Sequence, residues 1–441
     1  MRVFAFIWIV SLTISSIFVP TAFAAKIQEV VSPGGIKAWF VEEKTIPIVS
    51  MEVVWKGGAS TVSAEKAGLA HLMASTMDEG AADLDSKAFQ KKMSELAISL
   101  SFSAAKDTFG GSLKTLAVNK EEAFRLFSLA ISAPRFDTDP VERIRNQILV
   151  GLNRKLADPN NLAGRAWFEA AFKGHAYANP TMGSLATMKA LTIADLRQFK
   201  DKQIAQDNMV ISVIGDIRVE ELGRLLDQTF MGIPKKSDLK FPIDVDRVNG
   251  PLLEIIPQDI PQSVVIYGGN GVKRDDPDYY AAYVLNYILG GGGFESRLTK
   301  EIREKRGLVY SVYSYLSPFQ RVGLQLGGFG TSNASVAEAI KLVKAELVKI
   351  RTSGVTAEEL DATKKYLNGS FPLRLSSNSR IANIMVSMQL FDLPVSYLDE
   401  RPKLINAVSL ADVKEVANRL MDPDELIITI VGKPEGMTPE N

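Results

Sequence analysis

The chain has 441 residues, of which 51 are basic and 51 acidic, so its formal net charge is zero. At this length one hydrophobic core no longer suffices and two or more domains are expected. The charge balance argues against a nucleic-acid partner, and the absence of cysteine excludes disulfides, thiolate metal sites and cysteine nucleophiles. Only two histidines exist, His71 and His175, so a site that needs two imidazoles must use both.

The N-terminus is typical of a secretory signal peptide. A positive Arg2 precedes an almost wholly apolar stretch, residues 3–19, and a small-residue cleavage site follows at 22–24. We therefore expect residues 1–24 to be removed and the mature chain to be exported, to a periplasm or a similar compartment, without a membrane anchor. An uncleaved anchor is the alternative for this stretch.

The rest of the chain is predicted to form two similar halves. Thr192 and Ser409 are both N-capping residues that open amphipathic helices, and each helix is followed by a buried strand that ends at Gly215 or Gly432. The offset is 217 residues for both pairs (409 − 192 and 432 − 215). Strand-like runs over residues 49–55 and 263–267, each ending at two glycines, open the halves.

A polar, proline-bounded stretch that begins at Pro234 is predicted to join the two halves. The predicted domains are therefore residues 25–234, a linker over 235–250, and residues 251–441.

Residues 68–75 resemble a zinc motif without most of its ligands. An inverted zincin motif places His, Glu and His at positions i, i+3 and i+4 of a helix. Here His71 is followed by Ala74 and Ser75 at those positions. Alanine cannot accept a proton, and a neutral serine hydroxyl is a poor zinc ligand. Asp78, seven residues after His71, would lie on nearly the same helical face and could complete only a weak metal site.

Several spaced motifs together give the chain a resemblance to the M16 (pitrilysin-like) metallopeptidases. These are residues 68–75, 172–177, the glycine run 290–293 and residues 301–310. The resemblance is to the dimeric branch of the family that includes mitochondrial processing peptidase, and to its non-catalytic subunit. It implies an α+β fold of two homologous halves, each a mainly antiparallel sheet covered by helices, that face each other as a clamshell.

The resemblance also assigns roles to particular residues. The Glu base and second His ligand would be Ala74 and Ser75, and the third ligand would be Gly151, so we expect no metal in this chain and zinc in a partner subunit. His175 lies in a motif away from the zinc, where a backbone contact is its expected role.

Arg303 and Tyr310 match the substrate-binding pair of active members, and both side chains can donate hydrogen bonds to a peptide carbonyl or oxyanion. Arg297 and Arg306 are the local competitors for the arginine role. The glycine run (Gly290, Gly291, Gly292, Gly293) has no P-loop spacing, and it is either a helix connection or a substrate contact. The segment Ser101, Phe102, Ser103 matches the edge strand that holds an extended peptide by strand addition.

Three functions remain open from the sequence. The first is a zinc-free partner that pairs with a homologous, zinc-bearing M16 subunit and contributes peptide binding and transition-state hydrogen bonds. The second is a structural or peptide-binding protein with no part in catalysis, and the third is an active zinc peptidase with an atypical site. The first function is favoured, because the metal motif has lost most of its ligands while the Arg/Tyr pair is intact.

Overall fold

The protein is described by a computed structural model that covers residues 26–246 and 248–437. Two β-sheets, each built from one half of the chain, form its framework. The first sheet contains β1 Gln28–Val31, β2 Lys37–Glu42, β3 Ile48–Lys56, β4 Ser99–Ala104, β5 Thr108–Leu116 and β6 Met209–Gly215. The second contains β7 Leu252–Pro257, β8 Gln262–Asn270, β9 Val309–Pro318, β10 Gly323–Ser332 and β11 Ile427–Gly432.

Helices follow the strands in both halves. Those of the first half are α1 Leu69–Ala74, α2 Ser86–Glu95, α3 Lys120–Ser132, α4 Thr138–Ala157, α5 Pro159–Ala171, α6 Leu185–Ala190, α7 Ile193–Gln203 and α8 Val219–Phe230. Those of the second half are α9 Tyr279–Asn286, α10 Val336–Ser353, α11 Ala357–Gly369, α12 Asn378–Leu390, α13 Tyr397–Ala407 and α14 Leu410–Leu420. Two π-helical turns, Tyr287–Gly291 and Thr299–Glu304, lie between α9 and β9.

The strand order shows that the two halves share one topology. The first sheet has the order β1-β2-β6-β3-β5-β4 and the second β7-β11-β8-β10-β9. In each sheet one pair is parallel, β2 with β6 and β7 with β11, and the remaining pairs are antiparallel. The sheets therefore correspond strand for strand, apart from the additional β1, and the predicted α+β fold of two mainly antiparallel halves is confirmed.

Matching capping boxes open the corresponding helices α7 and α14. Thr192 and Ser409 each accept a hydrogen bond from the backbone N–H three residues on, and Asp195 and Asp412 bond back to the cap residues. These reciprocal bonds satisfy backbone donors that the first helical turn leaves free. The helix starts predicted from the sequence are thus observed in both halves.

One face of each sheet is buried under helices of its own half. In β3, Met51, Val53 and Trp55 lie in the first core with α3, α7 and α8. In the second half, Val265 of β8 and Ile430 of β11 lie in a core with α9, α10 and α14. Strand β11 is buried at all six positions and β3 at most of its nine, so the opposite faces of these strands are covered as well.

The halves are joined by an exchange of helices. α5, from the first half, packs on β8 and β11 of the second sheet, while α12, from the second half, packs on β3 and β6 of the first. Trp167 and Phe172 form one mixed core with Leu326 and Ile427. On the other side, Ile381 and Met385 pack with Val41 and Ile214.

Some predicted boundaries differ from the observed ones. Strand β8 does not end at Gly268-Gly269 but continues to Asn270, because β10 pairs with it along that whole length. The stretch between Pro234 and Gly250 contains no helix or strand in its described part. No helix in the described ranges is long and apolar enough to cross a membrane. The predicted signal peptide lies outside the described residues.

Candidate substrate-binding cleft and degenerate metal site

Arg303 and Tyr310, the predicted pair, lie side by side in the second half. The Arg303 guanidinium carbon is 5.5 Å from the centre of the Tyr310 ring and 4.6 Å from that of Phe294. Both rings are largely exposed, Tyr310 at 86% and Phe294 at 64% of full accessibility. The guanidinium is thus held by two aromatic faces, and such cation–π contacts leave its N–H groups free to donate.

A β-bulge accounts for the exposure of Tyr310. Val309 pairs with Thr331 and Val312 with Phe329, so two residues of β9, Tyr310 and Ser311, lie opposite Gly330 alone. A bulge interrupts the alternation of side chains, and it re-aims the residues at that point. Tyr310 and Ser311 are consequently both exposed.

The structure distinguishes Arg303 from the other two arginines of this segment. Arg297 donates to both carboxylate oxygens of Glu359, at 2.7 and 2.6 Å, and is mostly buried. Arg306 is paired with Glu301 at 2.9 Å. Within residues 26–246 and 248–437, Arg303 has no carboxylate within ion-pair distance. It is therefore the arginine of this segment that remains available to a ligand.

The glycine run lies beside the same pair. Gly290 and Gly291 belong to the π-helical turn that continues α9, and are not a flexible connection. A Cβ on Gly290 would lie 2.6 Å from both the backbone nitrogen and the hydroxyl of Ser314. Only glycine permits this close approach of the turn to β9.

Together these elements enclose a cleft of about 500 Å³. Its lining includes Gly290, Gly291, Gly293, Arg303 and Tyr310, and not Gly292. The glycine run and the Arg/Tyr pair, singled out separately in the sequence, thus share one site.

Tyr313 and Tyr315 were not identified from the sequence as residues of the cleft. Tyr313 and Tyr315 project from β9 into the cleft with their rings stacked, 6.2 Å between centres. Both are roughly half exposed. The signal available was their i, i+2 spacing, which places both side chains on one face of a strand.

Strand β4 is the edge of the first sheet, as predicted. Ser101 and Ser103 are exposed along it. Phe102 is different, because its ring packs 5.5 Å from that of Phe127 and 6.3 Å from that of Phe109, on the core side. Its side chain is therefore not available to a substrate, although the strand edge itself is. None of Ser101, Phe102 and Ser103 lines the cleft around Arg303.

The residues at the metal-motif positions lie on helices α1 and α4, which contact each other. The Ser75 hydroxyl donates to the carbonyl oxygen of His71 at 2.9 Å, where α1 ends. Ala74 is buried, and Gly151 lies in α4 with no atom within 4 Å of the position of a Cβ. Burial lowers the pKa of His71, and the Lys155 ammonium lowers it further.

The weak alternative site with Asp78 rests on a helix that the structure does not contain. α1 ends at Ala74, so Asp78 lies in the turn beyond it and the expected shared helical face is wrong. Burial raises the pKa of Asp78 to about 6. The described ranges contain no group of three or more His, Cys, Asp or Glu side chains that could hold a metal ion.

His175 makes backbone contacts, as expected. Its Nδ1 accepts a hydrogen bond from the Tyr177 backbone N–H at 3.1 Å, and Nε2 lies 3.1 Å from the carbonyl oxygen of Ile243. Its ring also packs edge-on against Tyr177. These contacts fix the segment that follows α5.

Comparison with known proteins agrees with this geometry. Residues 190–367 match the family described as the peptidase M16 inactive domain. A Helicobacter pylori protein described as "Non-peptidase homolog YmxG" is 24% identical over 417 residues, which are 94% of this chain and 96% of that protein. The crystal structure of a peptidase M16 inactive domain from Pseudomonas fluorescens superposes with a TM-score of 0.87 at 29% identity, covering 94% of this chain and 100% of that one.

The chain is thus similar to the peptidase M16 family over residues 190–367, and over most of its length to a solved structure with an M16 description. A Streptomyces coelicolor relative described as an uncharacterized zinc protease is 29% identical over 294 residues, which are 64% of this chain and 63% of that protein. A structure described as a protease from Helicobacter pylori shares the fold, with a TM-score of 0.83 at 20% identity over 92% of this chain and 99% of that one. The matched family is described as an inactive domain, and the Helicobacter pylori relative of similar length as a non-peptidase homologue.

The donor set of this chain does not fit the zinc of active M16 members. Of the corresponding positions only His71 offers a metal ligand, because Ala74 and Gly151 have none and the Ser75 hydroxyl is used at the end of α1. The nearby Lys155 adds a positive charge that opposes a cation. Zinc affinity needs several converging ligands, and a single imidazole does not supply it.

Proposed function

We propose that this chain is the zinc-free partner of a zinc-bearing M16 peptidase subunit, to which it contributes peptide binding. One observation carries the proposal: Arg303 and Tyr310 lie together in an open cleft of a chain whose own metal positions have lost their ligands. A site with donors for a peptide but no means of cleaving it makes chemical sense when the cleaving group lies on another subunit.

The cleft is suited to an extended peptide. Tyr310 offers a phenolic hydroxyl and Arg303 offers N–H groups that no carboxylate neutralises within the described ranges. Such donors stabilise the negative charge that develops on a peptide carbonyl oxygen during hydrolysis more than they stabilise the carbonyl itself, which is the condition for accelerating the reaction.

Strand β4 provides a second way to hold the same peptide. Its outer edge has no neighbouring strand among the described residues, and Ser101 and Ser103 are exposed along it. An extended peptide can pair with such an edge through backbone hydrogen bonds. In the partner, the corresponding strand would pair with the peptide beside the metal. Strand β4 of this chain would then hold the peptide away from the point of cleavage.

Location follows from the N-terminal sequence alone. Export is supported by Arg2, the apolar stretch 3–19 and the small residues at 22–24. We therefore expect the partner in the same exported compartment.

Co-purification from the native cell, followed by reconstitution, tests the proposal. The expected result is a complex with an M16 homologue that carries an intact His-x-x-Glu-His, and peptidase activity only when both chains are present. Recovery of this chain as a monomer or homodimer under conditions that preserve other periplasmic complexes would count against it. An active zinc-bearing homologue that gains nothing from this chain would favour the structural alternative.

A further inference from the structure

A second pocket lies in the C-terminal half and shares no lining residue with the Arg303 cleft. It has a volume of about 270 Å³ and opens between α9, α12 and α13. Apart from Ser387, its polar lining is cationic and aromatic: Arg274, Arg374, Arg401, Tyr279, Tyr280, Tyr283 and Tyr397. No aspartate or glutamate lines it.

Arg401 places a buried positive charge at this pocket. Its exposure is 5%, and its guanidinium carbon lies 4.2 Å from the centre of the Phe371 ring. One Nη donates to the carbonyl oxygen of Leu367 at 3.2 Å. Within residues 26–246 and 248–437 it has no carboxylate partner. A buried guanidinium is costly unless a counter-charge accompanies it.

Arg274 is the second cation at the pocket and is held in a similar way. Its guanidinium carbon lies 4.0 Å from the centre of the Tyr279 ring, and Nη2 lies 3.1 Å from the Tyr280 hydroxyl oxygen. The described residues offer it no carboxylate either. Tyr279 stacks on Tyr283 with ring centres 6.3 Å apart, and Tyr283 in turn lies 6.0 Å from Arg401. The two cations are therefore linked through a stacked tyrosine pair.

Aromatic contacts do not satisfy the hydrogen-bond donors of these arginines. A ring covers a face of the guanidinium, whereas the N–H donors point outward in its plane. A planar carboxylate matches that fork with two parallel hydrogen bonds.

We infer that the pocket between α9, α12 and α13 binds a small organic carboxylate, with Arg274 and Arg401 as its counter-charges. The apolar side of the pocket, which includes Ile384, Met388 and Phe391, accommodates a hydrophobic body on that ligand. The volume restricts the ligand to a small molecule or a single terminal residue of a peptide. The inference does not depend on the proposed peptidase partnership, because it uses none of the residues of the Arg303 cleft.

Calorimetric titration of the purified chain with benzoate tests the inference. Benzoate is expected to bind with one site per chain. Benzamide, of the same shape but neutral, is expected to bind at least tenfold more weakly, and inorganic phosphate more weakly than benzoate. Equal binding of benzoate and benzamide, or no benzoate binding, would overturn the inference. Phosphate binding that exceeds benzoate binding would overturn the assignment to a carboxylate.

Variants locate the site. Arg274→Gln is expected to weaken benzoate binding at least tenfold while the circular dichroism spectrum stays unchanged, and Arg401→Gln to do the same where it folds. Arg218→Gln, an exposed arginine of the first half, is the matched control and is expected to bind as the wild type does. If Arg274→Gln retains wild-type affinity, the inference is wrong whether or not Arg401→Gln folds.

Discussion

Trp167, in a helix of the first half, donates its indole N–H to the carbonyl oxygen of Ile427, in the last strand of the second half, at 3.0 Å. Both residues are fully buried. The same contact region contains a second bond, from the Thr429 hydroxyl to the carbonyl oxygen of Ala163 at 2.9 Å. On the opposite side Gln389 donates to the carbonyl oxygen of Ile211 at 3.0 Å. Exchanged helices are thus tied to the sheets they cover by hydrogen bonds as well as by apolar packing.

Trp167→Phe should destabilise the whole chain and not the first half alone. It removes the indole donor, leaves a buried carbonyl without that bond, and leaves a small void, for which a cost of about 2–3 kcal/mol is expected. Urea unfolding followed by far-UV circular dichroism measures it. A single unfolding transition at a lower urea concentration is expected. Unfolding of one half while the other stays folded would contradict this prediction.

Replacing two lost ligands should restore metal binding. Ser75→His together with Gly151→Glu, beside His71, gives three donors, and the open space at Gly151 accepts the longer side chain. We expect about one zinc per chain by elemental analysis, and tighter binding when Lys155→Met removes the nearby positive charge. The control pairs Ser75→His with Gly164→Glu, another unhindered helical glycine, and should stay metal-free.

Tyr310→Phe should lower turnover of the reconstituted peptidase pair and leave its assembly intact. Loss of one donor to an oxyanion typically costs about 10²–10³ in turnover. Arg303→Ala should lower turnover too, with weaker peptide binding in addition. Rates at saturating peptide are the measurement. Arg306→Ala, on the same segment but paired with Glu301, is the control, and wild-type rates in both test variants would contradict a catalytic contribution.

Gly290→Ala should destabilise the second half. The added Cβ would lie 2.6 Å from the backbone of β9 at Ser314, so the strand or the π-helical turn must move, at a cost of about 1–3 kcal/mol. Gly369→Ala, where nothing lies within 4 Å, is the matched control. Urea midpoints of the two variants should differ accordingly, and equal midpoints would show that the close approach is not required.

Asp78→Asn should stabilise the chain at pH 8 and not at pH 4. Burial raises the pKa of Asp78 from 3.8 to about 6. Between these values the folded chain holds more protons than the unfolded chain, so this carboxyl lowers stability as the pH rises from about 4 to 6. An amide carries no such charge, and a gain on the order of 1 kcal/mol is expected at pH 8. Urea midpoints at both pH values measure it, with the exposed Asp83→Asn as control.

The fold could be predicted because local and long-range signals agree. The caps at Thr192 and Ser409 and the strands after them follow from short-range chemistry, and their equal offset revealed the duplication. Arg303 and Tyr310 were found through a motif, and the structure places them in one cleft with most of the glycine run. The motifs thus singled out residues that the fold brings together, and their role in binding a substrate stays a prediction.

What the sequence did not predict depends on contacts between distant segments. The bulge that exposes Tyr310 arises from the register of β9 against β10. The early end of α1, which separates Asp78 from His71, follows from the turn beyond Ala74. Phe102 is an exception, because the alternation of Leu100, Phe102 and Ala104 with three serines along β4 does indicate that its side chain faces the core.

The exchange of α5 and α12 bears on how a duplicated chain of this kind came about. A half-length ancestor would have carried one sheet and one helix that packs on the sheet of a neighbouring copy, so two copies were needed to cover both sheets. The present arrangement is the one that fusion of two domain-swapped copies would produce. After fusion the two copies could diverge independently, and a cut within the joining segment should yield fragments that regain structure only when mixed.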